Sequence, residues 1–361
     1  MKWIEYLKKK KLSLEEYGSF SLKVGPSIYI QEKNLLPKVG YYCKGIGEFA
    51  GIICDENIYK KFCKDLSSSF KSLVFIFSGE CCLEEINKII ENIKKANVDF
   101  IFGMGGGKTL DTAKLVGFKL NLPVVAFATS ASTCSAWTNV SVLYSKDGIY
   151  KDIINLKKSP DLTLVDEDII IDAPKELLLS GIGDSFAKYY EARLVYESGM
   201  FKEDVFAKIG IFIADEMYKI IKEKSSELKE IIYANIALCG LVSTIGRESC
   251  SALLAHSFVN ALSIIPQARK VLHGYLASLG VVFQFKFLNR DFPELQAYKE
   301  LGLPLSFKDI NICLKEKDIE EVSKLILEDE TVCNFYPDLN LNKIVNVLKI
   351  IIFLLIIFYR F

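Results

Sequence analysis

The stretch Gly103-Met-Gly-Gly-Gly-Lys-Thr-Leu-Asp111 is the first place in the chain where residue types and spacing point to a ligand. It follows a strand-forming run and precedes a helical one. Three successive glycines, Gly105 to Gly107, let backbone come close to a ligand, and the start of the following helix offers unpaired N–H groups to an anion. The pattern predicts a phosphate cradle. It matches neither common form: a Walker A loop needs glycine where Phe102 stands, and a G-x-G-x-x-G turn needs glycine where Lys108 stands. The second feature is a pair of histidines, His256 and His273, the only 2 in 361 residues. Each lies in a helical stretch, 252–262 and 271–283, with Pro266 in the turn between. A single helical histidine is usually a satisfied core or surface residue, but two packed helices can bring both imidazoles to one place. The third is Asp184, within Gly181-Ile-Gly-Asp-Ser-Phe-Ala-Lys-Tyr-Tyr-Glu-Ala-Arg193. An aspartate after glycine at a helix start could simply be an N-cap.

The elements that must position these residues divide the chain in two. Apolar runs at Phe49–Cys54, 72–78, 99–103 and 123–128 alternate with helical stretches ending near Leu66, at Leu83–Ala96 and at 109–119. Strands alternating with helices imply a parallel sheet with helices on its faces. The segment 140–154, with Lys146-Asp147-Gly148 at its middle, predicts a β-hairpin, and 162–165 is expected to close the sheet. After Ala173-Pro174 the apolar period is helical almost throughout. The expected organisation is an α/β nucleotide-binding domain with a Rossmann-like parallel sheet, residues 1–172, followed by an α-helical domain, residues 173–361.

Composition narrows the partners. Lys+Arg and Asp+Glu balance at 45 each, and half the residues are apolar. That gives no electrostatic footing for nucleic acid or an anionic membrane. The Lys-rich stretches 8–11 and 219–229 read as solvated faces. The 10 cysteines include no C-x-x-C pair and mostly sit in apolar runs, as free thiols do in a reducing compartment. With no apolar leader at the start, a cytoplasmic protein is expected. The apolar tail 350–359 is too short as a helix to span a bilayer of about 30 Å; a buried terminal helix is expected, with an interfacial anchor or a frameshifted end as alternatives.

Taken together, the motifs carry a family resemblance. Gly-Gly-Gly-Lys-x-x-Asp-x-Ala-Lys, residues 105–114, resembles the pyrophosphate-binding motif of the iron-containing alcohol dehydrogenase superfamily. Its continuation Pro-Val-Val-Ala-Phe-Ala-Thr-Ser-Ala-Ser-Thr, residues 123–133, resembles the glycerol dehydrogenase branch. The resemblance implies a dehydroquinate synthase-like fold with a dinucleotide in the cleft between an α/β and a helical half. It implies that Gly107, Lys108 and Asp111 hold the pyrophosphate and ribose. Thr129, Ser132, Thr138, Val140 and Tyr144 match the nicotinamide-side positions, and Asp55 matches the acidic residue on the adenosine ribose. Asp55 favours NAD, since a carboxylate repels a 2′-phosphate; Lys60 and Lys61 leave NADP possible. Asp184, His256 and His273 match the family's metal ligands, a set whose open positions suit one catalytic divalent ion, zinc or iron. The implied reaction is metal-assisted hydride transfer between a nicotinamide and a small alcohol or carbonyl substrate, with Tyr144 a candidate for the proton route.

Departures from the pattern bear on the substrate. Glycerol dehydrogenases carry aspartate directly after the Ala-Ser-Thr run, and here that position is Cys134. A thiol binds polyol hydroxyls weakly and repels no anion. The segment Cys134-Ser-Ala-Trp-Thr138 more closely resembles the sister hydroxycarboxylate dehydrogenases, so a 2-oxo acid/2-hydroxy acid pair is expected, with glycerol/dihydroxyacetone as the alternative. Sugar-phosphate cyclases and glycerol-1-phosphate dehydrogenases share the fold but need a strongly basic pocket, for which Lys188, Arg193, Arg247, Arg269 and Lys270 make a thin case. Tyr275 follows His273-Gly274 where the family often has an acid, so a nucleotide binder without catalysis is the non-enzyme alternative. A homo-oligomer acting on a small molecule is expected.

Overall fold

The structure is a computed structural model that describes residues 24–66, 69–200, 204–223, 227–246 and 253–353. The lysines of 8–11, Arg247 and most of the apolar tail lie outside the described residues. Strands β1 (Ile28–Glu32), β2 (Phe49–Cys54), β3 (Lys71–Ile76), β4 (Phe100–Gly105), β5 (Val124–Ala128) and, after the hairpin of β6 (Val140–Tyr144) and β7 (Tyr150–Asn155), β8 (Leu162–Asp166) account for the sheet half. Six of them form one all-parallel sheet in the order β1-β8-β5-β4-β2-β3. The antiparallel β6–β7 pair stands apart from it. β8 therefore does not close the sheet as expected; it is interior, and β1 forms the edge. As an edge strand β1 is only partly covered, so its sequence Ile-Tyr-Ile-Gln-Glu carries no unbroken apolar run to announce it.

Central strands are buried on both faces, as parallel sheets require. All six residues of β4 are buried. Phe100, Phe102 and Met104 enter one core with Phe127 and Leu164, while Ile101 enters the opposite core with Ile53, Ile89 and Val116. The helices on these faces include α1 (Glu56–Leu66), α2 (Leu83–Ala96) and α3 (Gly107–Leu120). The chain steps from β2 outward to β3, then crosses back so that β4 lies on the other side of β2. Open α/β sheets bind ligands at such a reversal, beyond the carboxyl ends of the strands. Asp55 follows β2 and the glycine turn follows β4, so both stand at that point.

From Lys175 onward every described element is helical, including α4 (Lys175–Ser198), α5 (Val205–Lys222), α6 (Cys239–Gly246), α7 (Leu254–Leu262), α8 (His273–Phe287), α9 (Glu316–Leu327) and α10 (Leu341–Phe353). α8 is apolar on nearly all sides and runs through the middle of this half, with Phe283 stacked on Phe258 at 5.0 Å. The described part of the tail belongs to α10, whose Ile344, Val347, Leu348 and Ile351 face the same core. One helical stretch, Leu228–Gly246, is apolar and long enough to cross a bilayer, and half of it is buried inside the protein.

Candidate active site

Asp184 is not at a helix start. It lies in the middle of α4, and the glycines around it serve packing instead. A Cβ on Gly183 would lie 2.3 Å from the Gly274 carbonyl oxygen, and one on Gly274 would lie 1.6 Å from that of Ser180. Only glycine at both positions lets the backbones of α4 and α8 touch. On the neighbouring turn Gly181 gives the same freedom against the Ala131 carbonyl. Asp184 is thereby set against His273, the first residue of α8.

The three expected ligands converge. One oxygen of Asp184 and one nitrogen from each of His256 and His273 lie within 4.8 Å of one another, a donor set a single cation can join. His256 Nε2 is 3.3 Å and His273 Nε2 3.5 Å from Asp184 Oδ1. Behind them stands Glu191, fully buried, which sequence reasoning missed. It accepts hydrogen bonds from the backbone N–H groups of Leu253 (2.9 Å) and His256 (3.0 Å), and from His256 Nδ1 at 2.6 Å. This fixes the imidazole with Nε2 turned toward Asp184 and makes that nitrogen more basic. Glu191 lies seven residues after Asp184 on the same helix face, and that spacing was the available signal.

Charge in this cluster is strongly coupled. Burial works against the Asp184 carboxylate, but hydrogen bonds from His256 and His273 outweigh it and hold the group far below the usual carboxylate range. Burial likewise opposes a charged His256, yet the Glu191 carboxylate prevails and raises the imidazole to about 9. Next to the cluster, the Cys134 sulfur lies within 4.8 Å of an Asp184 oxygen and of the Cys239 sulfur. The Cys239 thiol donates to Cys134 and holds it below the usual thiol value, while Cys239 itself is pushed up. Cys239 follows a π-helical turn, Ala234–Leu238, in which buried Asn235 donates to the carbonyls of Ala131 (3.1 Å) and Leu178 (3.2 Å). Asn235, also unforeseen, pins the loop bearing Cys134 to α4.

The opposite wall is the sheet half. Gly106 is the N-cap of α3 and provides no capping side chain, so the first-turn N–H groups remain open to a ligand. Asp55 Oδ1 caps α1 by accepting from Asn57 N (2.9 Å) and Ile58 N (3.0 Å). Lys108 reaches both oxygens of Glu80 at 2.7 Å and lies 5.0 Å from the centre of the Tyr144 ring. Asp111 is engaged within the protein: it accepts from Ser135 Oγ (2.5 Å), Val142 N (3.1 Å) and Lys114 Nζ (2.9 Å). Its carboxylate thus ties α3 to the 129–138 loop and the hairpin. Burial, then Asp111, raises Tyr144, so its phenol stays protonated as a donor. Thr129, Ser132, Thr138 and Val140 line the same cleft.

A single cleft of about 1300 Å³ is lined by all the site residues named above from the sequence, from Asp55 through Gly107 and Cys134 to His273. Residues 26–167 match the sequence model of the iron-containing alcohol dehydrogenases. A glycerol dehydrogenase from Thermotoga maritima is 30% identical over 336 residues, 86% of this chain and 90% of that one. The chain belongs to the iron-containing alcohol dehydrogenase family. Hydroxycarboxylate dehydrogenase A from Escherichia coli is 29% identical over 70% of this chain and 73% of its own. The fold agrees with a solved structure, a probable glycerol dehydrogenase from Sinorhizobium meliloti, at a TM-score of 0.81 and 24% identity, covering 93% of this chain and 98% of that one. The protein is thus an oxidoreductase of the glycerol dehydrogenase-like branch, with the parallel-sheet and helical halves of this family.

Proposed function

We propose that this alcohol dehydrogenase family member interconverts a short 2-oxo acid and its 2-hydroxy acid, using NAD and one divalent ion, zinc or iron. The observation that carries the substrate class is Cys134, whose sulfur borders Asp184 at the head of the cleft. A thiol there does not anchor a polyol as a carboxylate would.

The residues present fit both groups. Asp184, His256 and His273 would hold the ion, with Glu191 keeping His256 in the tautomer that frees Nε2. The uncapped amides at Gly107 and Lys108, together with Lys108 Nζ, would meet the pyrophosphate, and Asp55 the adenosine ribose. Asp111, which lines the cleft, also holds the loop. The ion supplies Lewis-acid polarisation of the substrate oxygen, and the nicotinamide supplies the two-electron redox chemistry. The chain's own groups orient the substrate and manage protons. Asp184 stays ionised and the buried His256 ring cannot turn, because Glu191 holds its Nδ1 proton. Tyr144 Oη, held protonated, would donate to the cofactor on the nicotinamide side.

A second reading, glycerol and dihydroxyacetone, is favoured by the name of the Thermotoga relative. We take the enzyme to be a cytoplasmic homo-oligomer whose partner is a small molecule, with no role for nucleic acid or membrane. The deciding assay is kcat/KM for 2-oxobutyrate, glycerol and dihydroxyacetone side by side. 2-Oxobutyrate is expected to lead; a tenfold lead for either polyol substrate, about 1.4 kcal/mol of transition-state preference, would reject the 2-oxo acid.

A further inference from the structure

The wall beside Asp184 carries a cation without a counterion. Lys188 lies one turn after Asp184 on α4, on the same face, and lines the cleft with Cys134, Asp184 and His256. Among the described residues, no carboxylate forms an ion pair with its ammonium and no acceptor takes a hydrogen bond from it. Two other lysines of the cleft region are engaged, and Lys61 and Lys270 also line the cleft. Lys108 holds Glu80, and buried Lys114 is pinned by Asp111 and the carbonyls of Thr138 and Val140. Burial disfavours the charged form of Lys188, but the negative field of Cys134, Asp184 and Glu191 outweighs it and keeps the ammonium charged. A divalent ion held by Asp184 and the two histidines would cancel much of that field. Lys188, half-buried, would then keep only part of its compensating charge, and a partly desolvated charge gains from a new partner.

We propose that Lys188 is the anionic subsite of this cleft and pairs with the carboxylate of a 2-oxo or 2-hydroxy monocarboxylic acid. The inference rests on the 2-oxo acid reading above and names the residue that reads the substrate's charge. Residues four apart on a helix rise about 6 Å along its axis. A 2-oxo acid has its carbonyl and carboxylate on adjacent carbons, so one face of α4 can meet both, the carbonyl toward Asp184 and the carboxylate toward Lys188. Cys134, small beside them, leaves room for that carboxylate. An aspartate at the same position would have neutralised Lys188 and closed the subsite.

The test uses the metal-loaded full chain with two substrates of one skeleton, 2-oxobutyrate and the neutral 1-hydroxy-2-butanone. Lys188→Met is expected to lower kcat/KM for 2-oxobutyrate on the order of 100-fold, as loss of a desolvated charge pair does, mainly through KM. The neutral ketone should change less than about threefold, and Lys188→Arg should restore much of the acid activity. Metal content and NADH affinity should match the wild type, which a merely structural role would disturb. If the wild type prefers the acid and Lys188→Met keeps that preference, the Lys188 assignment is overturned while the 2-oxo acid reading stands. A wild type that shows no preference for the acid overturns the reading itself. Lys188→Gln, polar and uncharged, repeats the test should the methionine variant be insoluble.

Discussion

The two walls of the cleft are built on different principles. The helical wall brings Asp184, His256 and His273 from three separate helices, seats Asp184 and His256 in the interior, and braces them with Glu191 and touching glycine backbones. The sheet wall draws on short contiguous loops. One of its charged pairs is accessible: the Lys108 and Glu80 side chains are 39% and 28% exposed, against 5% for Asp184, while Asp111 and Lys114 beside it are buried. A buried, fully hydrogen-bonded array loses its function when one member is removed, because the others are left unpaired. An exposed pair is weak and exchanges partners easily. The helical wall is therefore preorganised for one task, and the sheet wall is tuned by small, separable terms.

Substitutions should separate the two walls by size of effect. The largest is expected from Asp184→Ala or His256→Ala, which should remove the ion and lower turnover on the order of 1000-fold or more, while NADH affinity changes little. Metal analysis beside steady-state rates checks this, and a variant that keeps both metal and rate would erase the contrast. Glu191→Gln touches no substrate, yet it should weaken metal affinity by about 10–100-fold, read by competition with a chelator. On the sheet wall, Asp55→Ser keeps a side chain able to cap α1 and removes only the charge. It should move the NADP/NAD ratio of kcat/KM toward NADP by about tenfold. The smallest effect belongs to Glu80→Gln, which frees Lys108 from an exposed pair. NADH should bind a few-fold more tightly, in keeping with roughly 1 kcal/mol or less for such a pair, with metal content unchanged.

The same contrast explains what was legible in the sequence. The sheet wall could be read almost directly, because a strand, three glycines and a helix are one local pattern and Asp55 follows its strand immediately. The histidines stood out by scarcity. The edge strand Ile28–Glu32 was not legible, since half-covered residues carry no strong apolar signature. In the sequence Asp184 reads as a helix start because a glycine precedes it. Gly183 instead makes way for the touching backbone of α8 and Gly181 for the Ala131 carbonyl, contacts far apart in the chain and invisible to a local pattern. Glu191, Asn235 and the unpaired state of Lys188 were hidden for the same reason: each is defined by what another element brings to it. Asp111 is placed among the cofactor residues by its motif position, and only the three-dimensional contacts add that it also accepts from Ser135, Val142 and Lys114.

The central claim is that the Asp184, His256 and His273 cluster makes this dehydrogenase work. It is tested most directly by stripping the full chain of metal and titrating it, under anaerobic conditions, with Zn(II) or Fe(II) while following NADH oxidation by 2-oxobutyrate. Activity should start near zero, rise in proportion to added ion and level off at one equivalent per chain. Full activity before any ion is added would contradict the account.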